Sequence, residues 1–140
     1  MNTANAEQTT TSSVETVRQG LDAFLKGDVP SILQLVAEDC PWSGSMGPDV
    51  PFAGQFTGPQ GALKFLEAIG ASLDIKAFEF DRYVGDGEHV VALGHWSGMV
   101  RANGKPYDAR LALYFQVRDS QIVRFVGYED TAILAAAVRG

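Results

Sequence analysis

The sequence predicts an α+β fold: three N-terminal helices packed on a curved, mainly antiparallel sheet, with a short helix at the C-terminus. Three observations lead there. Apolar residues recur at helical spacing up to about Gly70, they alternate with period two from about Ile75 to Asp130, and turn residues cut the alternating part into consecutive strands. Helices gathered ahead of hairpin-linked strands, rather than interleaved with them, define the α+β class.

The first helix is read from Ser12, followed three residues later by Glu15 as in a capping box, with Val14, Val17, Leu21, Phe24 and Leu25 on one face and Gly27 as its stop. Residues 1–12 are expected to be a polar tail without fixed structure, and residues 13–140 a single domain. Asp28-Val29-Pro30 reads as an N-cap with proline in the first turn of a second helix carrying Ile32, Leu33, Leu35 and Val36. Cys40-Pro41-Trp42-Ser43 is expected to be extended. Gly44 to Pro59 is a glycine- and proline-rich loop whose sizeable apolar groups are Met46, Val50, Phe52 and Phe56. Pro59 opens a third helix with Ala62, Phe65, Leu66 and Ile69 on one face.

Ile75 to Val84 is the first long strand, turned by Gly85-Asp86-Gly87 into a meander of Glu88–Arg101, Pro106–Arg118 and Gln121–Asp130. Asn103-Gly104 signals a two-residue type I′ hairpin in which Ala102 pairs with Lys105. Counting back from that turn puts Val90, Ala92, Gly94 and Trp96 on one face with Leu111, Leu113, Phe115 and Val117. Val123, Phe125, Gly127 and Glu129 continue this apolar face. Leu93, His95, Arg110, Tyr114 and Val126 fall on the other. A bulge near the turn would exchange the two faces. Asp130 is placed to cap the final helix.

Composition narrows the function. A net charge of −6 speaks against nucleic acid and anionic lipid surfaces. The polar N-terminus lacks the features of a signal peptide, and no apolar run approaches the ~20 residues of a membrane span, so a cytoplasmic location is expected. One cysteine, Cys40, allows neither an internal disulfide nor a multi-thiolate metal site, and it is read as a small buried hydrophobe. His89 and His95 have no third ligand in view, so neither metal nor cofactor is expected. Small uncharged molecules and other protein chains remain as partners.

Leu25-Lys26-Gly27-Asp28, the run Leu35 to Trp42, Phe52-Ala53-Gly54-Gln55-Phe56-Thr57-Gly58 and the closing Tyr128-Glu129-Asp130 resemble the SnoaL-like branch of the nuclear transport factor 2 (NTF2)-like superfamily. The resemblance implies a cone in which a curved sheet wraps around helices, leaving an apolar cavity, in a homodimer formed through the outer sheet face. It also implies an isomerase-like or cyclase-like activity on a polycyclic or polyketide-type substrate, with non-enzymatic ligand binding or protein interaction as the alternative. Fold alone does not choose between them.

The family's catalytic patterns do not carry over. Those of the ketosteroid isomerases, a tyrosine and two aspartates, fall at Gly20, Gly44 and Leu113. The histidine and aspartate of SnoaL-like cyclases fall at Leu113 and Gly127, and the Asp-Arg-Asp set of limonene epoxide hydrolases calls on Leu111 and Leu113. None of these can titrate. Asp108 and Arg110 lie on the outer face, where an ion pair is expected instead. The one weak catalytic candidate is Glu129, whose apolar neighbours would raise its pKa into a useful range. The expected ligand pocket comprises Phe24, Trp42 and Phe65 from the helical half, and Trp96, Leu111, Leu113, Phe115, Phe125 and Glu129 from the strands. Gly94, Gly98 and Gly127 are expected to leave room between them.

Overall fold

The computed structural model describes residues 3–44, 50 and 52–140. Helices α1 (Thr3–Leu25), α2 (Val29–Leu35) and α3 (Gly58–Ser72) pack on one six-stranded sheet, and α4 (Thr131–Arg139) follows it. The strands β1 (Pro41–Ser43), β2 (Gln55–Thr57), β3 (Leu73–Asp86), β4 (His89–Val100), β5 (Pro106–Arg118) and β6 (Gln121–Glu129) lie in the order β2-β1-β6-β5-β4-β3. All neighbours are antiparallel except β1 and β6. The α+β expectation therefore holds, with one parallel join. β2 lies inside the stretch read as loop: three residues carry no alternation of their own, and the strand exists because Trp42 pairs with Phe56 on one side and Phe125 on the other. Met46 of that loop lies outside the described residues.

α1 begins at Thr3, not at Ser12, so residues 3–12, expected to lack fixed structure, are helical. Threonine hydroxyls fold back onto the helix, Thr10 Oγ1 onto the Ala6 carbonyl and Thr11 Oγ1 onto that of Glu7. Thr10 Oγ1 also accepts the Gly87 N–H at 2.8 Å, which ties the added turns to the β3–β4 hairpin. At α2, Asp28 accepts from both Ser31 N–H and Ser31 Oγ, the expected cap. Asp130 stands at the N-cap of α4 but its side chain makes no capping bond.

The Asn-Gly turn differs from expectation. Val100 N–H donates to the Lys105 carbonyl and Gly104 N–H to that of Val100, closing a wider loop in which Gly104, at φ +70°, is left-handed and Asn103 is not. Met99 consequently pairs with Pro106, a displacement of two residues from the predicted register. An even displacement keeps every side chain on its face, so Val90, Ala92, Trp96, Leu111, Leu113, Phe115 and Val117 are buried as expected. Asn103 instead caps α4, its Nδ2 donating to the carbonyls of Ala137 and Val138. The two-residue turn with both φ positive occurs at Asp119 (53°) and Ser120 (61°), joining Arg118 to Gln121.

The face exchange happens in β6. The register shifts between Gln116 and Val117, so Val117 pairs with Ile122 while Gln116 pairs with Arg124, leaving Val123 as the extra residue. Ile122, predicted outside, is fully buried, and Val123, predicted inside, is only partly so.

Two of the three glycines serve curvature, not room. A Cβ at Gly94 would meet the Glu79 carbonyl oxygen at 1.9 Å, and one at Gly98 that of Asp74 at 2.1 Å. Both sit opposite register shifts in β3, where the bulged backbone folds in against β4 and bends the sheet. Only Gly127, whose nearest neighbours are side-chain atoms of Phe125 and Leu113 at 3.5 and 3.6 Å, opens space inside.

Candidate functional site

The inner sheet face and the three N-terminal helices meet around one apolar pocket of about 80 Å³. Phe24 reaches it from α1 and Phe65 from α3, Trp42 from β1, and Trp96 from β4. Leu111, Leu113 and Phe115 come from β5, with Phe125 and Glu129 from β6. The nine residues singled out in the sequence thus face a common space. The rings hold one another: Trp42 stacks on Phe125 at 4.3 Å, and Phe65 meets both edge-on at 5.9 Å.

Leu21, Ile32, Leu66 and Ile69 of the helices also line it, and Phe52, Phe78 and Ile122 do so in ways the sequence reading did not indicate. Phe52, in the glycine- and proline-rich stretch, is 1% exposed and edges against Phe65 and Trp96. Phe78 packs tilted against Phe24, ring centroids 4.7 Å apart, its inward phase hidden by the two bulges of β3. Ile122 lines the pocket because of the β6 bulge. A signal for Phe52 existed: a large aromatic residue in an otherwise small-residue loop needs somewhere to be buried.

Gly20, Gly44, Leu111, Leu113 and Gly127, the positions to which the relatives' catalytic patterns map, all line this pocket. None of them has an ionisable side chain. Among the described residues, Glu129 is the one charged side chain lining the pocket. Burial pushes its carboxyl up to about 7, and the neighbouring Trp96 indole N–H pulls it back in part. That contact falls short of a hydrogen bond, for Trp96 Nε1 and Glu129 Oε2 are both buried without a partner. Trp42 Nε1 and the Tyr107 hydroxyl are in the same condition. Burial, followed by the charges of Glu129 and Asp74, pushes the Tyr107 hydroxyl up to about 12, so it stays a neutral donor.

The remaining candidates stand elsewhere. Asp108 and Arg110 are exposed on the outer face as expected, and among the described residues neither forms a cross-strand ion pair. His95 lies between Glu79 and Arg110 in the sheet register, on that same face. His89 Nδ1 sits 2.6 Å from Tyr114 Oη at the surface. Cys40 is buried, and burial followed by the nearby Asp39 charge raises its thiol to about 11, which keeps it neutral. Among the described residues no group of three or more His, Cys, Asp or Glu is placed to hold a metal ion, and no helix is long and apolar enough to cross a membrane.

The family model of the SnoaL-like domain matches residues 17–125. The chain belongs to this family. Solved structures place the SnoaL-like domain in the wider NTF2-like group. An NTF2-like protein from Burkholderia xenovorans is 26% identical over 92% of this chain and 97% of its own, with a TM-score of 0.83. TerC, co-crystallised with polyporic acid, is 20% identical over 92% and 99%, TM-score 0.80. A candidate polyketide cyclase from Xanthomonas campestris is 23% identical over 93% and 98%, TM-score 0.75. The last two likenesses show the fold alone. No curated protein matches the chain.

Proposed function

We propose that this SnoaL-like domain binds a small, uncharged apolar molecule between its helices and the inner sheet face, and that Glu129 moves a proton on it in an isomerase- or cyclase-like reaction. The observation that carries the reading is the Glu129 carboxyl, held at about 7 in an otherwise apolar pocket. A carboxyl balanced near neutrality takes a proton from carbon in one step and returns it in the next, work worth about 10²–10⁴ in rate. Polyporic acid in TerC and the cyclase relative support a cyclic or polyketide-type skeleton as substrate, on the strength of shared fold. At about 80 Å³ the pocket is smaller than the ~150 Å³ that admits benzene in an engineered cavity, so a polycyclic substrate requires aromatic wall residues to swing aside.

The second reading, a ligand-binding module without chemistry, draws on the untitratable Gly20, Gly44 and Leu113. Turnover of a β,γ-unsaturated ketosteroid and of a polyketide-type diketone, compared between the parent protein and Glu129→Gln, separates the two. Loss of roughly 10²-fold or more supports the enzyme. Equal turnover in the variant removes Glu129, and retained binding with no turnover leaves the binding module.

We also infer a cytoplasmic homodimer joined through the outer sheet face. Leu93, Tyr114 and Val126 make a half-buried apolar patch there, continued by Tyr128 at 59% exposure. Sedimentation showing a monomer at micromolar concentration would contradict this.

A further inference from the structure

Building on the pocket reading above, we propose that the site selects guests bearing an acceptor oxygen, a ketone, enone or quinone carbonyl, held by the indole N–H groups of Trp96 and Trp42. Both tryptophans line the pocket and both are 4% exposed. The Nε1 of each is buried with no hydrogen-bond partner among the described residues. An indole N–H donates and never accepts, so each of these groups can be satisfied only by an acceptor. Among the described residues the one acceptor beside them is the Glu129 carboxyl next to Trp96, whose Oε2 is itself unpaired, and a guest oxygen would take its place at that indole. An unpaired buried donor is costly, and a guest that brings an oxygen recovers that cost while a hydrocarbon of the same shape does not.

Packing leaves the donors little freedom to turn away. Trp42 is fixed by stacking on Phe125, and Trp96 by edge contacts with Phe52 at 5.8 Å and Tyr107 at 5.7 Å. Glu129 pairs with Leu111, two residues along β5 from Ala109, the partner of Trp96. The acceptor would therefore sit at the end of the pocket that holds the carboxyl. This recognition uses residues outside the tyrosine, aspartate and histidine positions of the relatives, where this chain has Gly20, Gly44, Leu113 and Gly127.

The chain has two tryptophans, so a ¹H–¹⁵N spectrum contains two indole signals, each reporting one proposed donor. Acetophenone and α-methylstyrene, which replaces the C=O with C=CH₂ at nearly equal shape, are titrated into the intact protein. Both exceed the pocket as it stands and are expected to bind with displacement of its phenylalanine walls, acetophenone about five- to tenfold more tightly, moving at least one indole proton downfield where the hydrocarbon does not. In Trp96→Phe the hydrocarbon still binds and the preference for the ketone shrinks. Equal affinities with no indole shift would overturn the carbonyl selection while leaving the pocket reading intact. If neither compound perturbs the signals of pocket side chains, the pocket reading fails and takes this one with it. Should Trp96→Phe not fold, the indole shifts of the parent protein decide alone.

Discussion

Glu88 and Glu129 are the same side chain at two ends of the same meander, and they differ by some five pH units. Glu88, ahead of β4, accepts two hydrogen bonds from Arg118 and one from Gln116, which hold its carboxyl at about 2. Glu129, at the end of β6, has no such donors; it is half-buried, with its Oε2 turned away from water beside aromatic and aliphatic groups, and this burial holds it at about 7. Water and a guanidinium make one a permanent anion; apolar walls make the other a weak acid. Chemistry at neutral pH needs the second kind.

The strongest way to break the contrast is to open the wall. Leu111, 6% exposed, pairs directly with Glu129. Leu111→Ala is expected to cost about 2–5 kcal/mol in denaturant unfolding, and the Glu129 carboxyl, followed by ¹³C NMR, to titrate well below 7. An unchanged midpoint would show that burial is not what raises it.

Next comes pH. The folded Glu129 pKa lies above its ordinary 4.5, so the folded state binds the extra proton between the two values. The contribution is full below about 4.5 and lost as pH rises through 7. It amounts to roughly 2–3 kcal/mol between pH 5 and pH 8. In Glu129→Gln that decline should disappear from the stability-against-pH curve. Glu88 works in the opposite direction, with its contribution present above about 4.5 and lost as pH falls toward 2. Because its ion pair with Arg118 lies at the surface, Glu88→Gln is the smallest effect: no measurable change in stability at pH 7, and only a slight softening of the acid limb that vanishes in high salt.

The two carboxylates also mark how far the sequence could be read. Alternation along β4 and β5 placed Trp96, Leu111 and Leu113 inside although the turn that set their register was misjudged, because an error of two residues leaves parity untouched. Parity failed where a single residue was inserted, at Val123, and that cost Ile122 its place in the predicted pocket. Phe78 was hidden for the same reason, behind the bulges of β3. Gly94 and Gly98 were visible as glycines, but their purpose was not: only a neighbouring backbone oxygen within 2.1 Å or less of an added Cβ shows that they permit a bend. The start of α1 was missed because its first turns carry no apolar stripe and are anchored by one long-range bond from Gly87 to Thr10.

What the sequence determined by itself was periodic and local: the order of the helices and long strands, the faces of β4 and β5 and the cap at Asp28. What only the tertiary structure decided was everything set by contacts distant along the chain. It turned Glu129 Oε2 away from water, left the two indole N–H groups without partners, folded Phe52 into the core and sent Asn103 to the end of α4. Side-chain direction follows from bond geometry within a few residues, whereas the dielectric around a carboxyl and the partners of a donor depend on which remote segments arrive beside it.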